Sequence, residues 1–173
     1  MLYFPFLMAR LPLPYLITSL FFNAHIQPHF DYASIIWDGI SDALFKRLNS
    51  LHRRAVKLII QDQSLTTDEK LQEMNILPLD KHFFLTKATY MFKIINNKSP
   101  NYLQQLFKFS SSQYSSHRRN LAFPKPRVDI YKTSLSYDGV AVWNSLPVPL
   151  RNLSTVTAFK RHLHSFITDT IYP

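Results

Sequence analysis

Between residues 42 and 61 apolar side chains recur at alternating steps of four and three: Leu44, Leu48, Leu51, Ala55 and Leu58. That is the period of one helical face, so the segment predicts an amphipathic helix with this stripe turned inward. Lys46, Arg53 and Lys57 fall opposite the stripe, with Arg47 and Arg54 beside them, and no acid lies between Asp42 and Asp62. Upstream, residues 15–26 are apolar almost all round, which predicts a buried helix that Pro28 ends or kinks. "FDYASIIW" continues as a second short helix, and "DGIS" supplies the turn. Downstream, "TTDEKLQEM" opens on a capping box, Thr66 with Glu69. A helix over about 79–96 is predicted to bury Phe84, Ala88, Met91 and Ile95 and to set Lys81, Lys87 and Lys93 near solvent. Ser99 and Pro100 read as N-cap and first residue of a further short helix. The chain closes with a short helix around Trp143, a Pro-rich corner, and an amphipathic helix capped by Ser154 with Val156, Phe159, Leu163 and Phe166 as its stripe.

The pattern predicts a mainly α fold: a small helical bundle with a basic irregular segment or short hairpin, and a C-terminal amphipathic helix. Three regions follow from it: helices over 1–107, a Ser-rich basic linker over 108–134, and a C-terminal helical extension over 135–173. In the linker, Arg118, Arg119, Lys125, Arg127 and Lys132 interleave with Tyr114, Phe123 and Tyr131. Such a mixture suits phosphate tracking and base stacking. The preferred reading is a solvent-exposed linker with a short hairpin around Pro124–Pro126.

Composition supports helix. Apolar residues make up 46% of the 173, and glycine occurs only at Gly39 and Gly139, which disfavours Gly-rich phosphate loops and a tight-turned β-sandwich. The absence of cysteine excludes disulfide scaffolds and Cys-type zinc sites. Twenty Lys and Arg against eleven Asp and Glu give a formal charge of +9, which makes a polyanion a plausible partner. The apolar start is interrupted by Arg10 and by Pro5, Pro12 and Pro14, and its clean run from Leu11 to Phe22 is shorter than the roughly 20 residues of a spanning helix. No positive n-region or small-residue cleavage site marks a signal peptide. The expectation is an intracellular protein, with no basis for choosing nucleus or cytoplasm, and no membrane partner.

Catalytic chemistry finds no foothold. The chain holds no G-x-S-x-G, Walker, H-E-x-x-H or H-x-E pattern with paired cysteines, and its only adjacent acids, Asp68 and Glu69, are explained by the capping box. "HIQPHFDYASIIW" sets His25, His29 and Asp31 at metal-like spacing, but Pro28 between the imidazoles spoils a shared helical face and no third-ligand pattern completes the set. The expectation is no catalytic residue, no metal and no cofactor. The candidate site is instead basic: Lys46, Arg47, Arg53, Arg54 and Lys57 on one helix, with Arg118, Arg119, Lys125 and Arg127 in the linker.

Four segments, taken in order, resemble one family. "LFFNAHIQPHFDYASIIWDG", "LFKRLNSLHRRAVKLI", "NILPLDKHFFLTKATYMFKIINNKSPNYLQQLF" and "SLSYDGVAVWNSLPVPLRNLSTVTAFKRHL" are similar to the region after the polymerase palm in non-LTR (LINE-type, jockey-like) retrotransposon reverse transcriptases. The likeness covers roughly residues 12–168, and "VWNSLP" with its downstream Leu, Arg, Phe and Lys is its most specific part. It implies a thumb-like helical region with a C-terminal extension, and a helix–helix junction after the catalytic core at which Phe30, Ile35, Ile36 and Trp37 pack inward. The palm, whose aspartates hold two metal ions, would lie upstream. The only aromatic-flanked acid here, in "FDYA", has Tyr32 where a second aspartate would be needed. The resemblance implies a chain without polymerase activity of its own whose partners are RNA or an RNA–DNA duplex, gripped through phosphates, and a palm-and-fingers core. The competing expectation is a structural module that docks on such a core with no nucleic-acid role.

Overall fold

Helices supply nearly all the regular structure, as the apolar periodicity predicts. The computed structural model describes residues 17, 20–32, 34–37, 39–60, 62–110 and 119–171. A π-helical turn over Phe22–Ile26 leads into α1 (Gln27–Asp31), α2 (Ser34–Trp37), α3 (Asp42–Ile59), α4 (Thr67–Glu73), α5 (Leu79–Ile95) and α6 (Asn101–Gln104). A 3-10 turn over Asp129–Thr133 precedes α7 (Leu135–Ser145), α8 (Val148–Arg151) and α9 (Val156–Ile171). Among the described residues the only β pairing is a single antiparallel bridge, Phe109 to Leu121. The chain divides into two compact units, residues 1–33 with 40–79, and residues 34–39 with 80–173. Most of α5 falls in the same unit as the helices that follow the linker.

In the first unit, α3 and α4 pack around Phe22, Val56, Ile60, Leu71 and Met74. The capping box of α4 is formed: Glu69 N–H donates to Thr66 Oγ1, and Thr66 N–H donates back to the Glu69 carboxylate at 2.6 Å. Asn75 ends this helix in the left-handed region, with Ile76 N–H returning to Leu71 O. Pro28 lies in the first turn of α1, where its missing N–H has no helical partner to lose, and the π turn before it takes up the bend.

The buried face of α3 is rotated from the one predicted. Leu44, Leu51 and Leu58 are 51%, 60% and 67% exposed, while His52 and Val56 are buried. The reason is aromatic: the His52 ring meets Phe30 edge-on at 5.1 Å and Phe22 at 6.0 Å, so the helix turns that side to the core. The all-round burial expected for residues 15–26 also fails, since Ile17, Leu20 and Phe21 are exposed; residues 15, 16, 18 and 19 lie outside the described set. In the other unit, Ile36 of α2 is exposed too, instead of packing inward.

The second unit is built around α5, α7 and α9. Phe92 stacks on Phe159 at 4.3 Å, and Trp143 lies 6.4 Å from Phe159, all three fully buried. Gly139 lets α7 approach α5: a Cβ there would come within 2.7 Å of Met91 Sδ. Lys87, expected near solvent, is buried and donates to the Asp138 carboxylate, an ion pair between positions 51 residues apart that periodicity on one helix has no means to foresee. On α9 the stripe is Phe159, Leu163 and Ile167, with Phe166 partly exposed beside it, and Thr155, not Ser154, caps the helix by accepting from Ala158 N–H. Likewise Pro100, not Ser99, stands at the N-cap of α6. Pairing in the linker joins Lys108–Ser110 to Asn120–Ala122, not the vicinity of Pro124–Pro126, where the prolines have no N–H to give. Asn144 fixes this segment on α7, donating to Leu121 O and accepting from Leu121 N–H.

Candidate nucleic-acid interface

Lys46, Asn49, Ser50, Arg53, Arg54 and Lys57 line a shallow recess of about 430 Å³ along α3. Four of the five basic residues expected on this helix therefore share one surface. Asn49 and Ser50, three and four positions from Lys46, join them as neutral donors on the same helical face. From Lys46 to Lys57 the helix advances roughly 16 Å at 1.5 Å per residue. One nucleic-acid strand carries about five phosphates over that length at 3.4 Å each. Arg47 is exposed and lies beside the leucine stripe, with Arg54 one turn pair further along.

Nearby carboxylates do little to offset this charge. Arg53 Nη1 donates to Asp68 Oδ1 at 2.9 Å, but both side chains are solvent-accessible, so the pair is readily exchanged for another anion. Asp62 accepts from Ser64 N–H and Oγ, and Glu69 from Thr66; these hydrogen bonds hold both carboxyls below their ordinary values and direct them at local backbone. Asp42 sits in the first turn of α3, where the helix dipole favours an acid.

The linker cations are placed differently. Arg118 lies outside the described residues. Lys125 and Arg127 are exposed in an irregular stretch near Phe123, whose half-exposed ring lies 5.3 Å from that of Tyr137. Arg119 turns inward: its Nη1 donates to Arg151 O at 2.8 Å and its Nη2 to Asn96 Oδ1 at 3.3 Å. Arg119, Lys125 and Arg127 belong to the second unit and α3 to the first.

The histidine segment is dispersed. His25 lies against the Phe21 ring at 4.7 Å, Asp31 accepts from Gln27 Nε2, and His29 is exposed. Among the described residues no three His, Asp or Glu side chains form a group able to hold a metal ion, and no helix is long and apolar enough to cross a membrane. No family model, curated protein or solved structure matches the chain.

Proposed function

We propose that this chain is the post-palm, thumb-like region of a retrotransposon reverse transcriptase, catalytically inert alone, that contacts template–primer nucleic acid through the basic face of α3. The observation that carries the reading is the recess on α3, where Lys46, Arg53, Arg54 and Lys57 converge with one exposed carboxylate, Asp68, as counter-charge. Contacts of this kind read the phosphate backbone and not the bases, so binding is sequence-tolerant. Four phosphate contacts give a log–log salt slope of about −3 to −4, a loss of roughly a hundredfold in affinity between 50 and 200 mM salt. Fluorescence anisotropy with a labelled RNA–DNA hybrid tests this; affinity that is absent, or indifferent to salt, defeats the binding role. Translating the genomic sequence upstream of Met1 tests the origin separately. A Tyr/Phe-x-Asp-Asp box in frame or across a frameshift supports it, and unrelated coding sequence refutes it.

One observation favours a second reading, a docking module for a polymerase core. Leu44, Leu51 and Leu58 recur every seven residues on α3 and stay exposed, an apolar strip about 20 Å long. On this reading Leu51→Ser with Leu58→Ser abolishes capture of a palm-and-fingers protein and leaves the salt-sensitive anisotropy signal unchanged. On the nucleic-acid reading, Arg54→Glu with Lys57→Glu does the reverse.

A further inference from the structure

Beside its basic recess, α3 carries a second ordered surface. Leu44, Leu48, Leu51, Ala55 and Leu58 alternate in steps of four and three, the spacing of the contact seam in a coiled coil. The three leucines seven residues apart stay exposed, and Leu48 and Ala55 between them are half-buried on the side of His52 and Val56. Residues at i, i+3, i+4 and i+7 bound the hole into which a facing helix inserts a side chain. Two such holes stand in line here. Leu44, Arg47, Leu48 and Leu51 bound the first, and Leu51, Arg54, Ala55 and Leu58 the second. Each has three apolar corners and an arginine at the fourth.

Those arginines fix the charge that a partner must bring. Arg47 and Arg54 are both exposed, one heptad apart along the same edge of the seam. Among the described residues no carboxylate pairs with either, whereas neighbouring Arg53 has Asp68. Arg47 also stands apart from the residues that line the recess, so phosphates held there do not engage it.

A second copy of α3 is a poor occupant. Antiparallel pairing sets arginine edge against arginine edge, and like charges there repel. Parallel pairing sets Arg47 and Arg54 opposite His52 and Ile59, which are turned toward the core. A bilayer fits no better, because a helix lying in lipid presents a broad apolar face and this seam is narrow.

We infer that the seam docks one amphipathic helix of a protein partner, with apolar residues at coiled-coil spacing and Asp or Glu seven residues apart along the edge that meets Arg47 and Arg54. This rests on the docking reading of the same strip and adds the partner's secondary structure and charge. The leucines supply affinity by leaving water, and the arginine–carboxylate pairs at the rim set sign and register.

The test is isothermal calorimetry of the full chain with a three-heptad helical peptide carrying Leu at a and d and Glu at e and g. Repulsion among its own glutamates keeps that peptide from pairing with itself. Saturable one-to-one binding is expected, and the same peptide with Lys at e and g, or with Ser at a and d, should bind far more weakly. Leu51→Ser should weaken the Glu peptide by roughly tenfold or more. Arg47→Glu should weaken it by roughly threefold or more, and Lys57→Glu in the recess by less. Leu51 and Arg47 are exposed, so both variants should keep the circular dichroism of the unmodified chain. No binding of the Glu peptide, or equal binding of the Lys or Ser peptide, overturns the inference. A dimer in sedimentation equilibrium that Leu51→Ser dissolves, or flotation with phosphatidylserine vesicles that Leu51→Ser abolishes, assigns the seam to another occupant and also overturns it. Peptide binding without capture of a palm-and-fingers protein refutes the polymerase-core reading alone; capture without peptide binding refutes this inference alone.

Discussion

Replacing Asp138 by Asn should destabilise the second unit more than replacing Lys87 by Met, although Lys87 is the more deeply buried partner. Lys87 is 3% exposed and its ammonium sits on the Asp138 carboxylate, whose side chain is 37% exposed. Removing the acid leaves a desolvated ammonium with a neutral amide beside it. Breaking a fully buried pair in this way costs about 3–5 kcal/mol. Because the acid's side of the pair opens to solvent, water relieves part of that cost, and about 2–3 kcal/mol is the expectation. Lys87→Met keeps an unbranched apolar stem and leaves a carboxylate that can hydrate, so its cost should stay near 1 kcal/mol or below. For a unit of about a hundred residues each kcal/mol is worth roughly 4–8 °C in Tm, so the two variants should separate by several degrees or more. Urea denaturation of the full chain, followed by circular dichroism and tryptophan fluorescence, gives both values, and the double variant closes the cycle. Equal costs, or a costlier Lys87→Met, would refute the reasoning.

Two smaller perturbations follow from the helix ends. Thr66→Ala removes the acceptor for Glu69 N–H and should cost about 1 kcal/mol by chemical denaturation. Glu69, held below its ordinary value by Thr66, contributes stability that is present above its unfolded value near 4.5 and fades as pH falls through the lowered folded value; Glu69→Gln should remove that part of the acid slope. His164 is depressed chiefly by burial, then by the charges of Lys160 and His82. Its unfolded form takes up a proton first as pH falls, so stability is full above about 6.5 and declines below it, and His164→Gln should flatten the melting-temperature profile across that window.

Local signals were legible in the sequence and long-range ones were not. The extent of α3, predicted as 42–61 and found as Asp42–Ile59, and the Thr66–Glu69 capping box depend on residues three and four apart. Which face of α3 is buried depends on Phe22 and Phe30 meeting His52, and the leucine count outvoted a histidine that in fact faces the core. The period of α5 alone sets Lys87 near solvent for the same reason: its partner, Asp138, belongs to another helix. The candidate interface divides along this line. The basic side of α3 is a one-helix property, and the structure gathers it into one recess. The linker cations, read as one run, separate into an inward Arg119 and an outward Lys125 and Arg127. The burial of Arg151 has no counterpart in the sequence, since a lone arginine in a Pro-rich corner carries no signal of it.

The central question is whether α3 meets phosphates. The direct measurement is the salt dependence of RNA–DNA hybrid binding for the unmodified chain and for Arg54→Glu with Lys57→Glu. Arg53 is best left intact, because reversing it would also set two carboxylates together at Asp68. The unmodified chain should give a log–log slope of about −3 to −4, and the double charge reversal should reduce its magnitude by about 2 and weaken binding at every salt concentration. An unchanged slope and affinity in the double variant would contradict the proposed role of this helix.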